Sequence, residues 1–163
     1  MGFEQKDNLN ENTSVVAEAD TDQKVLAQDI PSEEMTAKVQ QDVKRILVVD
    51  DEDDLVLMIS KALRYKGYEV IIANDGQEGL EKAKTETPDL IILDLMLPRI
   101  NGYKVCGLLK KDTRYAKIPI ILLTAKANTE DIELGEEVGA DAYITKPYER
   151  DVLFSKIEEL MKE

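Results

Sequence analysis

A carboxylate at the end of a buried aliphatic run needs a neighbour that offsets its charge, and Asp94 stands in that position in Leu90-Ile91-Ile92-Leu93-Asp94-Leu95-Met96-Leu97-Pro98. A second acidic group follows another such run, in Ile46-Leu47-Val48-Val49-Asp50-Asp51-Glu52-Asp53-Asp54. Carboxylates placed like this can act as nucleophiles or bind a hard cation through oxygen. The rest of the composition narrows the choice. With no histidine in the chain, Ser-His and Cys-His nucleophile activation, imidazole metal sites and a phosphohistidine of its own are excluded. Cys106 is the only cysteine, so neither an internal disulfide nor a thiolate cage can form. A bound metal must be held by oxygen, which points to magnesium, manganese or calcium.

Positioning these acids requires particular elements. Apolar runs at Ile46–Val49, Val70–Ala73, Leu90–Leu93, Ile118–Leu123 and Ala142–Thr145 each precede a stretch with helical period. Five repeats of this unit are the signature of a parallel sheet covered on both faces. Right-handed crossovers give an α/β doubly wound sheet of order 2-1-3-4-5 with five helices, flavodoxin-like in class. Helix faces are expected from Leu55, Ile59 and Leu63; Leu80 and Ala83; Val105, Cys106 and Leu109; and Val152, Ile157, Leu160 and Met161. In such a sheet chemistry sits outside the carboxyl ends of the strands, at the switch point between the first and third. That places Asp50 and Asp51 beside Asp94.

Two more strand ends reach the same rim, Leu122-Leu123-Thr124-Ala125 and Ile144-Thr145-Lys146-Pro147. Taken singly, Thr124 reads as turn chemistry, Lys146 as a surface residue, and Glu52, Asp53 and Asp54 as acids at a helix start. Taken together, three carboxylates, a hydroxyl and an ammonium suit a phosphoryl group. Lys146 and a cation would neutralise oxygen charge, Thr124 would donate a hydrogen bond, and Asp94 would be the nucleophile. Three close carboxylates repel one another unless a cation sits among them, and hard oxygen ligands with partial hydration are what Mg²⁺ prefers.

The strings VVDDE at Val48–Glu52, ILDLMLP at Ile92–Pro98, LLTA at Leu122–Ala125 and ITKPY at Ile144–Tyr148 resemble, in combination, the receiver domain of response regulators, the CheY-like superfamily, over about 45–162. The resemblance implies that Asp94 is the phosphorylated aspartate. It implies that Asp51, Asp94 and the main-chain carbonyl of Met96 ligate Mg²⁺, with Mn²⁺ as an alternative, while Asp50 assists through water. Lys146 would pair with the phosphoryl group, Thr124 would be the switch hydroxyl, and Tyr143 the aromatic that turns inward. The switched surface would be the fourth helix, fifth strand and fifth helix. The donor would be a sensor histidine kinase or a histidine phosphotransfer protein, and Lys146-Pro147 a candidate cis peptide. Met96 and Lys126 occupy variable modulating positions. Met96 cannot orient an attacking water by hydrogen bonding, which implies slow loss of the phosphoryl group. One departure is the loop Pro98-Arg99-Ile100-Asn101-Gly102, where the family commonly has Pro-Gly-Met-Asp-Gly.

Residues 1–44 differ in kind, being acidic and aperiodic, and are expected to be a mostly disordered extension; Met35, Val39 and Val43 admit a short helix over 33–43. Residues 45–163 form the expected receiver domain. The formal net charge of −13 argues against direct DNA binding, because phosphate backbones select clustered Lys and Arg. No apolar stretch approaches the roughly 18 to 20 residues that span a bilayer, so a cytoplasmic protein with no membrane insertion is expected. The expected protein is a stand-alone regulator, acting on a downstream protein target as a monomer or a weak phosphorylation-dependent dimer through the switched face, and not an enzyme in the turnover sense. Two alternatives share the residues: a Mg-dependent phosphohydrolase working through an aspartyl-phosphate, and a receiver-like interaction module that is never phosphorylated. The first commonly carries a second acid two residues after its nucleophile, where this chain has Met96; the second would have lost the acids, Thr124 or Lys146.

Overall fold

The computed structural model describes residues 43–125 and 128–162. Residues 1–42, which hold the extension up to its last two residues and the short helix expected over 33–43 up to its last, lie outside the described residues, as does Lys126. Strands and helices alternate in the order β1 (Arg45–Val49), α1 (Asp53–Tyr65), β2 (Glu69–Ala73), α2 (Gly76–Glu86), β3 (Leu90–Asp94), α3 (Gly102–Lys111), β4 (Ile120–Thr124), α4 (Thr129–Glu137), β5 (Ala142–Thr145) and α5 (Arg150–Met161). All pairings are parallel and the strand order is β2-β1-β3-β4-β5, as the sequence pattern requires.

The period-2 alternation of the strands divides the core between the two faces of the sheet. Leu47, Val49, Ile91, Leu93, Ile120 and Leu122 point to the side of α2 and α3, where Leu80, Ala83, Val105, Cys106 and Leu109 meet them. Ile46, Val48, Leu90, Ile92, Ile121 and Leu123 point to the side of α1 and α5, against Val56, Ile59, Leu63, Leu153, Phe154 and Ile157. The four aliphatic residues of β3 are at most 1% exposed. Such burial stabilises by about 1.5–3 kcal/mol per side chain, so β3 is fixed in depth and register and its final residue, Asp94, is held in place with it.

Caps set the helix starts. Asp75 accepts from the Glu78 amide at 2.8 Å, Asn101 from Lys104 at 2.9 Å and Asn128 from Asp131 at 2.8 Å. Two boundaries differ from the sequence expectation. β4 begins at Ile120 rather than Ile118, because Pro119 has no amide to donate and Ile118 instead closes a turn onto Tyr115. In α5 the inner face is Leu153, Phe154 and Ile157, while Val152 is 51% exposed. One residue of helical phase is 100° of rotation, so Val152 turns outward where Leu153 turns in.

Candidate functional site

The first and third strands are adjacent in register, with Val49 opposite Leu93, so the chain leaves both into one crevice. Asp50 continues β1, its amide bound to the Ala73 carbonyl at 3.1 Å. Its Oδ1 accepts from the Glu52 amide at 3.0 Å, which turns the chain into α1. Leu95, after Asp94, donates to Leu123 at 3.1 Å and its carbonyl receives the Gly102 amide at 2.9 Å. Gly102 has no side chain for a steric reason: a Cβ there would run into the Asp94 carbonyl. Lys146 is delivered by β5 and tied to β4 through its amide, 2.7 Å from the Thr124 carbonyl. The Lys146-Pro147 peptide is cis.

Carboxylate oxygens of Asp50, Asp51 and Asp94 lie within 4.8 Å of one another. Asp50 and Asp94 are 2% and 5% exposed, Thr124 is fully buried, and Asp51 faces solvent. The Lys146 Nζ stands 3.3 Å from Asp50 Oδ2, 3.5 Å from Asp94 Oδ1 and 3.7 Å from Glu52 Oε1. Burial raises the Asp50 pKa above the ordinary carboxylate value, against the pull of the Glu52 amide and Lys146. Burial, and then the charge of Asp50, raises that of Asp94. Burial opposes the Lys146 ammonium, but the charges of Asp50 and Asp94 outweigh it and hold its pKa above the usual lysine value. One ammonium thus serves three acids. An all-oxygen cluster short of positive charge fits a hard divalent cation.

Thr124 ends β4 in register with Thr145 of β5. Tyr143, opposite Leu122 in that pairing, is half-buried with its ring on Gly135 of α4. Met96 is in the loop after β3 with its side chain 62% exposed. Asp53 and Asp54 occupy the first turn of α1, where acids face the helix dipole. Glu52 is the N-cap residue of that helix without bonding it through its side chain. Its contact with Lys146 was not legible from sequence, since the pair is joined only by the fold.

Comparison with known proteins settles the family. The model for "Response regulator receiver domain" matches residues 46–158. The chain belongs to the response regulator receiver family. It is 46% identical over 121 residues to the alkaline phosphatase synthesis transcriptional regulatory protein PhoP of Bacillus subtilis, covering 73% of this chain and 49% of PhoP. It is 42% identical over 114 residues to the DNA-binding response regulator MtrA of Mycolicibacterium smegmatis, covering 70% of this chain and 49% of MtrA. The crystallised chemotaxis protein CheY4 of Vibrio cholerae superposes with a TM-score of 0.68 at 31% identity, covering 72% of this chain and 98% of CheY4.

This receiver chain spans about half the length of the curated relatives PhoP and MtrA. Those relatives overturn the expectation of no direct DNA binding and of output through protein contact alone. Net charge describes the surface that carries it, and the acidity of a chain that spans about half of a DNA-binding response regulator does not describe the remainder. Among the described residues no helix is long and apolar enough to cross a membrane.

Proposed function

We propose that this receiver accepts a phosphoryl group on Asp94 from the phosphohistidine of a sensor histidine kinase or a histidine phosphotransfer protein. The observation that carries the reading is the convergence of Asp50, Asp51 and Asp94 within 4.8 Å, with the Lys146 ammonium 3.5 Å from Asp94. An Asp94 carboxylate oxygen attacks phosphorus, the phosphorus–nitrogen bond breaks, and the donor imidazole leaves with the electron pair and takes a proton from solvent. Asp51, Asp94 and the main-chain carbonyl of Met96 would hold Mg²⁺ or Mn²⁺, with Asp50 acting through water. The bound ion supplies charge neutralisation at the phosphoryl oxygens. Lys146 pairs with one of those oxygens, and the Thr124 hydroxyl donates to another.

The receiver works as a phosphoacceptor switch in the cytoplasm, rather than as a turnover enzyme. Movement of Thr124 towards the phosphoryl group opens space into which Tyr143 turns, and the surface of α4, β5 and α5 changes with it. The names of PhoP and MtrA support transcriptional control as the output of that surface. The test is incubation of the full chain with Mg²⁺ and acetyl phosphate, followed by intact mass. One phosphoryl group should be gained, and none by Asp94→Asn or in the presence of a chelator. Gain that persists in Asp94→Asn overturns the assignment.

A further inference from the structure

The loop that leaves Asp94 for α3 is pressed against the start of α2, an element with no part in the site as described. Gly76, the buried first residue of α2, donates its amide to the Pro98 carbonyl at 3.3 Å. A Cβ on Gly76 would fall on the Ile100 carbonyl oxygen, 2.7 Å from the carbonyl carbon and 3.1 Å from the Ile100 Cβ. Between those two residues the Arg99 guanidinium stands 3.7 Å from Asp75, the N-cap residue of α2. Three consecutive loop residues thus meet one helix start. The chain passes through the left-handed region at Arg99, φ 70°, between the two carbonyls that lie on Gly76. Such a conformation disfavours a residue with a Cβ, and the contacts on either side hold it there.

The near end of the loop is fixed independently. The Leu95 amide donates to Leu123 of β4 at 3.1 Å, and the Leu95 carbonyl accepts from Leu97 at 3.1 Å and from Gly102 of α3 at 2.9 Å. Leu97 and Ile100 pack on the core cluster that also holds Leu80 and Ala83 of α2. Met96 lies between the two anchors with its side chain exposed. Its main-chain position is set from both sides, by Leu95 on β4 and α3 and by Pro98 and Ile100 on α2. Only a residue without a side chain at position 76 lets the loop come this close.

We propose that Gly76 is a positioning residue for the cation site: by admitting the loop onto α2 it sets where the Met96 carbonyl stands relative to Asp51 and Asp94. The inference rests on the ligand set proposed above. A methyl group at position 76 pushes the Pro98–Ile100 segment off α2, and the displacement reaches Met96 two residues before Pro98. Mg²⁺ holds its ligands at about 2.0–2.1 Å in near-octahedral geometry, whereas Ca²⁺ accepts a looser shell at about 2.3–2.6 Å. A misplaced carbonyl therefore costs Mg²⁺ more than Ca²⁺. The contact selects the ion as well as strengthening its binding.

The test is the affinity of the full chain for Mg²⁺ and, separately, for Ca²⁺, measured by titration calorimetry without a phosphoryl donor. Gly76→Ala should weaken Mg²⁺ binding about tenfold or more, the range for groups that hold a metal ligand in place, and Ca²⁺ binding by less than about threefold. Gly67→Ala strains a left-handed residue at the opposite rim with open space around it. It should lower the unfolding temperature and leave both affinities within about twofold of wild type. Ile100→Ala adds no atom and loosens the same segment, so it should weaken Mg²⁺ about three- to tenfold by lowering the fraction of chains with the loop docked. It decides the matter on the same criteria if Gly76→Ala does not fold. Wild type that binds Mg²⁺, with a loss in Gly76→Ala no greater than in Gly67→Ala or equal for the two ions, overturns the positioning role and leaves the ligand set standing. Wild type that binds no Mg²⁺ overturns the ligand set, and the role of Gly76 with it.

Discussion

The two ends of the same sheet handle charge in opposite ways. At the amino ends of the strands each acid accepts from an N–H group of its own, although one residue, Arg45, supplies three of them. Arg45 bonds Glu86 at 3.0 Å and Glu69 at 3.3 Å, Asp89 receives the Arg45 amide at 2.8 Å, and Asp141 receives both the Ile120 amide and Lys110 at 2.8 Å. At the carboxyl ends one partly buried ammonium faces Asp50, Asp94 and Glu52 at 3.3–3.7 Å. Left-handed backbone, by contrast, occurs at both rims. The turns that re-enter the sheet at Gly67 and Gly139 use glycine for their positive φ of 97° and 92°, with Thr87 the exception. The loop leaving β3 puts Arg99 at φ 70°. The amino rim satisfies its acids one N–H at a time; the carboxyl rim leaves two buried carboxylates short of positive charge.

The comparison breaks most clearly on the lysines. Lys146→Met leaves two buried carboxylates without their ammonium and should cost about 2–3 kcal/mol at neutral pH without divalent cations. Lys110→Met removes one donor from partners that retain water, and should cost about 1–2 kcal/mol. Urea unfolding with and without Mg²⁺ separates them: the ion should narrow the deficit relative to wild type in the first variant and leave it unchanged in the second. Equal responses to Mg²⁺ would erase the distinction between the rims.

Removing an acid should give opposite signs at the two ends. Asp141→Ala should destabilise by about 1–2 kcal/mol, because the Ile120 amide and Lys110 lose their acceptor. Asp94→Asn should stabilise the metal-free protein by about 1 kcal/mol, a few degrees in Tm. The pH dependence of that gain follows from the raised pKa of Asp94. In the native state its proton is held above the unfolded value, near 3.9, so ionisation costs stability as pH rises from there through the native pKa. The Asn variant escapes that cost. Its advantage should vanish below about pH 4, grow through the window and stay level above it. An advantage that is constant with pH, measured by thermal unfolding in a chelator, contradicts burial of the charged carboxylate.

The smallest effect concerns strain. Arg99→Gly should stabilise by about 0.5–1 kcal/mol, since glycine takes the left-handed conformation without a Cβ clash but loses more freedom on folding. The Arg99–Asp75 pair at 3.7 Å is too exposed to offset that gain. Denaturant midpoints for this variant against Lys66→Gly, a change at a right-handed residue beside Gly67, would show whether the strain is local to the carboxyl rim.

Strand order and the faces of α2 and α3 were legible because alternation and helical period translate directly into burial. The convergence of Asp50, Asp51, Asp94 and Lys146 was legible because parallel order decides which strand ends are neighbours. Helix phase is not always so: Val152 looks inward by spacing and faces outward in the structure, one residue out of phase with Leu153. The bond from Tyr103 to Asp131 is not legible because the two stand 28 residues apart on elements whose relative rotation no local period encodes. Net charge misled outright over DNA, since it was read from a receiver and applied to a whole regulator.

The distance in sequence between Asp50 and Lys146, 96 residues, carries a consequence for how the chain is assembled. Synthesis lays down β1, β3 and β4, with the acids, before the strand that brings the lysine. An intermediate lacking β5 must hold Asp50 and Asp94 protonated, hydrated or apart, and each option opposes tight closure of the first four strands. Long-range pairing of this kind slows folding. A chain interrupted short of Lys146 lacks the ammonium that faces Asp50 and Asp94.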